Sequence, residues 1–483
     1  MNIKMMMTTT TMMMTIMMMM MCTTVTASFY TRMMQYGSSE GGEDEATTLI
    51  QQNIIKVPLG LAETKLSNVV LPKPMSDFST VFDAISGTIY ISGGCDSIHG
   101  NEYVMTEFGN FFSCNNSSKS HYKILVSDLS DTSRTNITFA PLADMPTERY
   151  RHTAVLIPSS QQIVLVGGRN IMDDSIPSTV DIYNIQTDTW TSHNVTDTKY
   201  LLSDNTGLEY KNRAYIFGGW NGSYTAQSTS FYIEINNENS NQPTITFTDI
   251  ADLPTARGDI SSVLYTSPIA NSTITPVTYA LVTGGFTHET LCNALDTVEQ
   301  YNFDTNVWIS ETFDTLTTAR GDKVLVGTSY TTVIGNDFGS NYTQHLIYAL
   351  GGERPIENIC DALEKNETVD VGTETVPIDD IEYYNVLNNT WVTFPNDIDV
   401  YRFRFSAAVD TSTKIIYTLG GQLKFNKSCT CFPTSNEIYM YTEIFDVPAA
   451  APSVTTSAGR TEWTSYISIG TTMTATVMIM ILK

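Results

Sequence analysis

The chain is short of positive charge. Against 51 aspartates and glutamates it carries 26 lysines and arginines, for a net charge of −25 over 483 residues. A nucleic-acid surface needs clustered Lys and Arg to displace phosphate counterions. The sequence holds neither a basic patch nor a nucleic-acid motif, which excludes that class of partner. Histidine is equally scarce: His99, His121, His152, His193, His288 and His345 are the full set. None forms a close pair at metal-ligand spacing, and neither H-E-x-x-H nor G-x-S-x-G occurs. With no C-x-x-C pair to seed a zinc cluster, the expectation is no metal and no cofactor. Together these absences leave no motif for hydrolytic or metal chemistry.

What the sequence does hold is a repeat. Six short apolar runs each close on a glycine pair: Gly93-Gly94, Gly167-Gly168, Gly218-Gly219, Gly284-Gly285, Gly351-Gly352 and Gly420-Gly421. The second glycines stand 74, 51, 66, 67 and 69 residues apart, so the unit has a constant core and stretchable loops. A second mark follows the glycines in three units, where a Tyr and a Trp stand seven apart across polar turn formers: Tyr183 and Trp190, Tyr301 and Trp308, Tyr384 and Trp391. A third mark opens the units, as Arg149, Arg257 and Arg320, with Arg402 a looser fourth.

In this order the three marks resemble the kelch repeat family over roughly residues 72–447. The resemblance implies an all-β fold, a six-bladed β-propeller of four-stranded antiparallel blades. Glycine at the end of the second strand permits a left-handed or closely packed backbone where blades converge. Tyr and Trp fill the wedge between sheets. The repeat arginines are expected to be structural, pairing with acids or carbonyls of a neighbouring blade. The rival reading has them facing the channel to bind an anion. Unit six lacks a Trp strand, so Thr48–Val57 is expected to supply its outer strand and close the ring.

Around the propeller, taken as 48–448, the chain divides further. Residues 1–27 read as a signal peptide, with Lys4, an apolar centre and small residues at the cleavage spacing. Residues 28–47 read as a flexible leader. Residues 449–462 form a polar spacer and 463–483 an apolar tail, which reads as a GPI-attachment signal, a weak transmembrane segment or a simple soluble tail. Either of the first two would attach the C-terminus to a membrane.

Beyond the signal peptide the cysteines number six: Cys95, Cys114, Cys292, Cys360, Cys429 and Cys431. An even count fits disulfides in an oxidising compartment. Cys95–Cys114 is the best-supported bridge, closing the long connection of one blade. Cys292–Cys360 with Cys429–Cys431 competes with pairings of Cys360 to unit six. Sequons stand at Asn115, Asn116, Asn136, Asn194, Asn221, Asn271, Asn341, Asn366, Asn388 and Asn426, a count that the Asn, Ser and Thr content alone makes unsurprising.

These readings predict a protein of the secretory pathway, extracellular or on the cell surface. It would bind an unidentified protein or glycan through rim loops rather than act as an enzyme. The loops are Cys95–Ser120, Glu353–Pro377 and Gln422–Ser435. Some kelch propellers are carbohydrate-modifying enzymes, of a galactose-oxidase type with a copper site or a sialic-acid epimerase type. No catalytic residue of either can be matched by motif here, so that class stands as the alternative. An intracellular scaffold follows if the signal-peptide reading fails. Clustered acids with displaced pKa values around the channel would favour the enzyme, and a channel of backbone and small residues would oppose it.

Overall fold

A computed structural model describes residue 56 and, apart from short internal segments, residues 58–445. The signal peptide, leader, spacer and tail lie outside the described residues. Among the described residues no helix is long and apolar enough to cross a membrane.

Six four-stranded antiparallel sheets follow one another along the chain. Each is a run of short strands joined by turns, as in the second blade: Tyr150–Ile157, Gln162–Arg169, Thr179–Asn184 and Thr189–Asn194. The second strand of each blade is the most buried. Thr88–Ser92 and Gln162–Arg169 are buried at every position, because sheets cover them on both faces. The outer strands mix half-buried and exposed residues. All six expected units appear as blades, so the architecture is an all-β, six-bladed propeller.

The glycine pairs are a steric requirement. At Gly167 the backbone is left-handed (φ +68°), and a Cβ would stand 1.8 Å from the Leu202 carbonyl of the next blade. At Gly168 (φ +84°) it would stand 2.7 Å from the Tyr150 carbonyl of the same blade. Only glycine lets three backbone segments meet there. The contact is repaid by hydrogen bonds between blades, such as Gly168 N–H to Leu202 O (3.1 Å) and Gly94 N–H to Arg149 O (2.9 Å).

The aromatic mark staples the outside of a blade to its neighbour. Tyr183 faces Trp190 across the third and fourth strands, as Tyr301 faces Trp308 and Tyr384 faces Trp391. The Tyr183 hydroxyl donates to Asp188 in the intervening turn (2.8 Å), and the Trp190 indole donates to the Ala143 carbonyl of the preceding connection (2.8 Å). Trp308 does the same to Ala251 (2.7 Å).

The ring closes in blade six, where an N-terminal strand pairs with the last strand, Ile438–Phe445. The closing strand is Pro58–Lys65, displaced along the chain from the expected Thr48–Val57. Apart from Lys56, that earlier segment lies outside the described residues. An outermost strand needs only one apolar face, and PLGLAETK supplies it with Leu61, 5 % exposed. Its polar side is tied by Tyr441 to Glu63 and by Lys65 to Glu437. High β-propensity marked the wrong stretch because propensity mainly reports burial on a pleated surface.

Candidate active site at the ring axis

Each blade begins its innermost strand with a residue in the left-handed conformation. These are Asp77, Arg151, Asp204, Asp259, Asp322 and Arg404, with φ of 56°, 59°, 52°, 55°, 49° and 53°. Their backbones form a closed circle. Arg151 N–H donates to Asp77 O, Asp204 to Arg151, Asp259 to Asp204, Asp322 to Asp259, Arg404 to Asp322 and Asp77 to Arg404, at 2.8–3.2 Å. We call this ring the collar. Non-glycine residues rarely adopt this conformation, and six together are a strained feature of the kind found at functional sites.

The collar side chains and the residues next to them, among them His152, Asn205 and Lys323, line a cavity of about 110 Å³. Pockets enclosing a whole drug-sized ligand hold roughly 300–1,000 Å³. The axial cavity is therefore too small to enclose a whole ligand of that size.

Charge is divided unevenly around the circle. Asp77 sits between the two arginines, 3.4 Å from Arg151 and 3.9 Å from Arg404. Arg151 also reaches Asp204 (3.6 Å), and Arg404 reaches Asp322 (2.8 Å) and Glu353 (3.1 Å). On the opposite side, carboxylate oxygens of Asp204, Asp259 and Asp322 lie within 4.8 Å of one another. Asp259 Oδ2 accepts from the Trp220 indole (2.9 Å). Asp259 Oδ1 and Asp204 Oδ2 are buried without a hydrogen-bond partner.

These surroundings pull the acids apart. Burial, followed by the charges of Asp322 and Asp204, drives Asp259 well above the usual carboxylate range. Asp204 is also raised, by burial working against Arg151. For Asp322 burial acts upward too, but Arg404, a hydrogen bond with Glu353, and Arg151 prevail and hold it low. Burial pushes Glu353 up to about 8 against the pull of Arg404, and the Asp322 charge adds to the rise. Proton-holding and ionised carboxyls thus stand side by side, an arrangement suited to passing protons.

The expectation that the ring works without reactive side chains is therefore corrected. The axis is lined by buried acids and guanidinium groups, not by backbone and small residues. Repeat matching missed the collar because its members differ in sign. A signal was nonetheless present: each stands two residues after the repeat position occupied by Met75, Arg149, Leu202, Arg257, Arg320 and Arg402, and each is charged.

The repeat arginines themselves do not reach the channel. Arg149 is fully buried, donating to Gly167 O (3.0 Å) and pairing with Asp181 (2.5 Å). Arg257 repeats this with Gly284 O (3.2 Å) and Glu299 (2.5 Å), and Arg320 with Gly351 O (3.0 Å) and Glu382. Arg402 donates to Gly420 O (3.0 Å) and lies over the Tyr439 ring (4.3 Å). Each is structural, and its partners belong to its own blade instead of the neighbouring one.

Cys95 is bonded to Cys114, and Cys429 to Cys431. Cys292 is also in a disulfide, while Cys360 lies outside the described residues. These bonds are consistent with an extracellular setting. Two expected rim loops meet, because Cys431-Phe432 pairs with Asn101-Glu102. The third folds back on itself, with Glu353–Pro355 paired to Thr375–Pro377. Among the sequons, Asn116, Asn136, Asn194 and Asn426 are exposed and Asn221 is half-buried. Asn115, Asn271, Asn366 and Asn388 lie outside the described residues, as does the side chain of Asn341.

No protein-family model matches the chain, and no curated protein matches its sequence. Among solved structures, one titled "Structure of YjhT" superposes with a TM-score of 0.50 at 12% sequence identity, covering 78% of this chain and 99% of that one. At that identity the likeness concerns the fold alone, a six-bladed β-propeller.

Proposed function

We propose that the protein is an exported, carbohydrate-modifying enzyme on a kelch-type propeller, interconverting forms of a sugar at the collar. One observation carries this reading: acids and arginines from all six blades converge on a single cavity, with three carboxylates inside 4.8 Å. Galactose-oxidase chemistry fits poorly, since its tyrosine crosslink consumes a free thiol and Cys95, Cys114, Cys292, Cys429 and Cys431 are all disulfide-bonded.

The reaction class that the collar suits is acid–base isomerisation. A carboxylate takes the proton of the anomeric hydroxyl while a protonated group gives one to the ring oxygen. The bond between the anomeric carbon and that oxygen breaks, leaving an open-chain carbonyl. Reclosure on the other face returns both protons, so no net proton and no oxidant is consumed. Arg151 and Arg404 would stabilise the negative charge that develops on oxygen. The rim loops, which begin beside the collar at Cys95, Glu353 and Gln422, would hold the rest of the substrate.

The test is exchange NMR on the secreted protein with a panel of neutral and acidic reducing sugars. At least one sugar should exchange anomers faster than in buffer, and Asp322→Asn should slow that exchange at least tenfold while the protein stays folded. A well-folded wild type that accelerates none of the panel refutes the reading.

A further inference from the structure

Along the arc of Asp204, Asp259 and Asp322, Arg151 reaches only the first and Arg404 only the last. Asp77 has an arginine on each side, whereas Asp259, diametrically opposite, has none. The circle holds four aspartates and two arginines, and Asp259 is the member flanked by acids on both sides. That residue is 5 % exposed, and its Oδ1 has no partner. Asp204, 9 % exposed, has a second unpartnered oxygen, Oδ2. A buried carboxylate oxygen without a donor is costly unless a cation completes it.

We propose that Asp204, Asp259 and Asp322 together bind one divalent cation of calcium's size. Carboxylate oxygens select hard cations. Ligand number then decides between them. Mg²⁺ usually keeps several waters and takes only one or two carboxylates, whereas Ca²⁺ accepts several, so three aspartates whose oxygens converge within 4.8 Å suit Ca²⁺. Ca²⁺ takes six to eight oxygens, so coordination positions remain open toward the cavity for water or substrate hydroxyls. The site stands whether or not the ring acts on a sugar.

The experiment uses the secreted protein after EDTA treatment, with CaCl₂, MgCl₂ and TbCl₃ as probes. Tb³⁺ resembles Ca²⁺ in size, and the Trp220 indole on Asp259 is a built-in antenna for its emission. Millimolar Ca²⁺ should raise the Tm by several degrees and Mg²⁺ by less than half as much. Terbium emission excited through tryptophan should appear and be quenched by excess Ca²⁺. Asp259→Asn should lose both responses while staying about as stable as the wild type in EDTA, because the amide has the shape of the carboxyl and carries no charge in its buried position. If Asp259→Asn does not fold, Asp204→Asn serves in its place. Equal effects of Ca²⁺ and Mg²⁺, or Ca²⁺ responses unchanged by the substitution, would overturn the proposal. Anomer exchange is not read in this experiment, so its outcome and that of the enzymatic reading are separable.

Discussion

Acid should loosen the seam between the first and second blades. Two histidines are buried there. His121 begins its strand and packs at a steep angle to Tyr183 and Trp190 of the next blade, at ring distances of 4.4 and 5.2 Å, and its Nδ1 lies 2.9 Å from Ser92 Oγ and 3.0 Å from Ile91 O. His152 points back toward Gly93 of the first blade, its Cε1 2.8 Å from where a Cβ on Gly93 would stand. Burial lowers His121 from 6.5 to about 4, and burial with the Arg149 charge lowers His152 to about 3. In the unfolded chain both titrate near 6.5, so below that pH the unfolded state binds more protons and stability falls with pH. The contribution is complete above 6.5 and is lost progressively down to the folded values. At pH 5 both rings stay neutral in the folded protein, so the cost is about 2 kcal/mol for each and about twice that together. Against a typical stability of about 5–15 kcal/mol this is a large fraction. The assay is urea unfolding at pH 7 and pH 5. Phe occupies the position of His152 in blades one and six, as Phe78 and Phe405, so His152→Phe uses a residue the fold already accepts there. His152→Phe and His121→Gln should each reduce the loss between pH 7 and 5 by about 2 kcal/mol. A loss identical to that of the wild type in both variants would refute the argument.

Two substitutions test what the repeat marks do. Gly167→Ala should destabilise by about 3 kcal/mol or more, since it adds left-handed strain to a carbonyl clash, while Gly222→Ala, with no atom within 4 Å of its Cβ, should stay within about 0.5 kcal/mol on chemical denaturation. Arg257→Leu alone should cost about 3–5 kcal/mol by stranding Glu299, whereas Arg257→Leu with Glu299→Phe should recover most of it; thermal unfolding of the pair shows whether it does.

That double substitution copies the third blade, and it explains how much the sequence could say. Leu202 and Phe231 stand in blade three where blades two, four and five place an arginine and an acid, and both pack in one apolar cluster. The repeat therefore tolerates a change of chemistry at the arginine, which is why that mark appeared in only four units. The glycines tolerate none, because backbone from the next blade occupies the space of their side chains, and so they were legible in all six. Blade number and boundaries followed from them. The closing strand was misplaced because an outer strand requires little apolar sequence. The collar was missed for the opposite reason to the glycines. Its backbone conformation is the same in all six blades, while its side chains divide into four aspartates and two arginines of opposite charge.

The order of those charges argues against a purely structural collar. Reading from blade one, the positions run Asp77, Arg151, Asp204, Asp259, Asp322, Arg404. Strict alternation of sign would pair every acid with two arginines and leave no excess, and only position 259 departs from it. An arginine there would complete the pattern on a backbone that already holds two arginines in the same conformation, at φ of 59° and 53°. Instead the fourth blade places an aspartate against two others and leaves two carboxylate oxygens buried without donors. Stability alone gives no reason for that choice. A protein usually tolerates an uncompensated cluster of this kind where the site has work to do, whether that is moving protons, holding a cation or both.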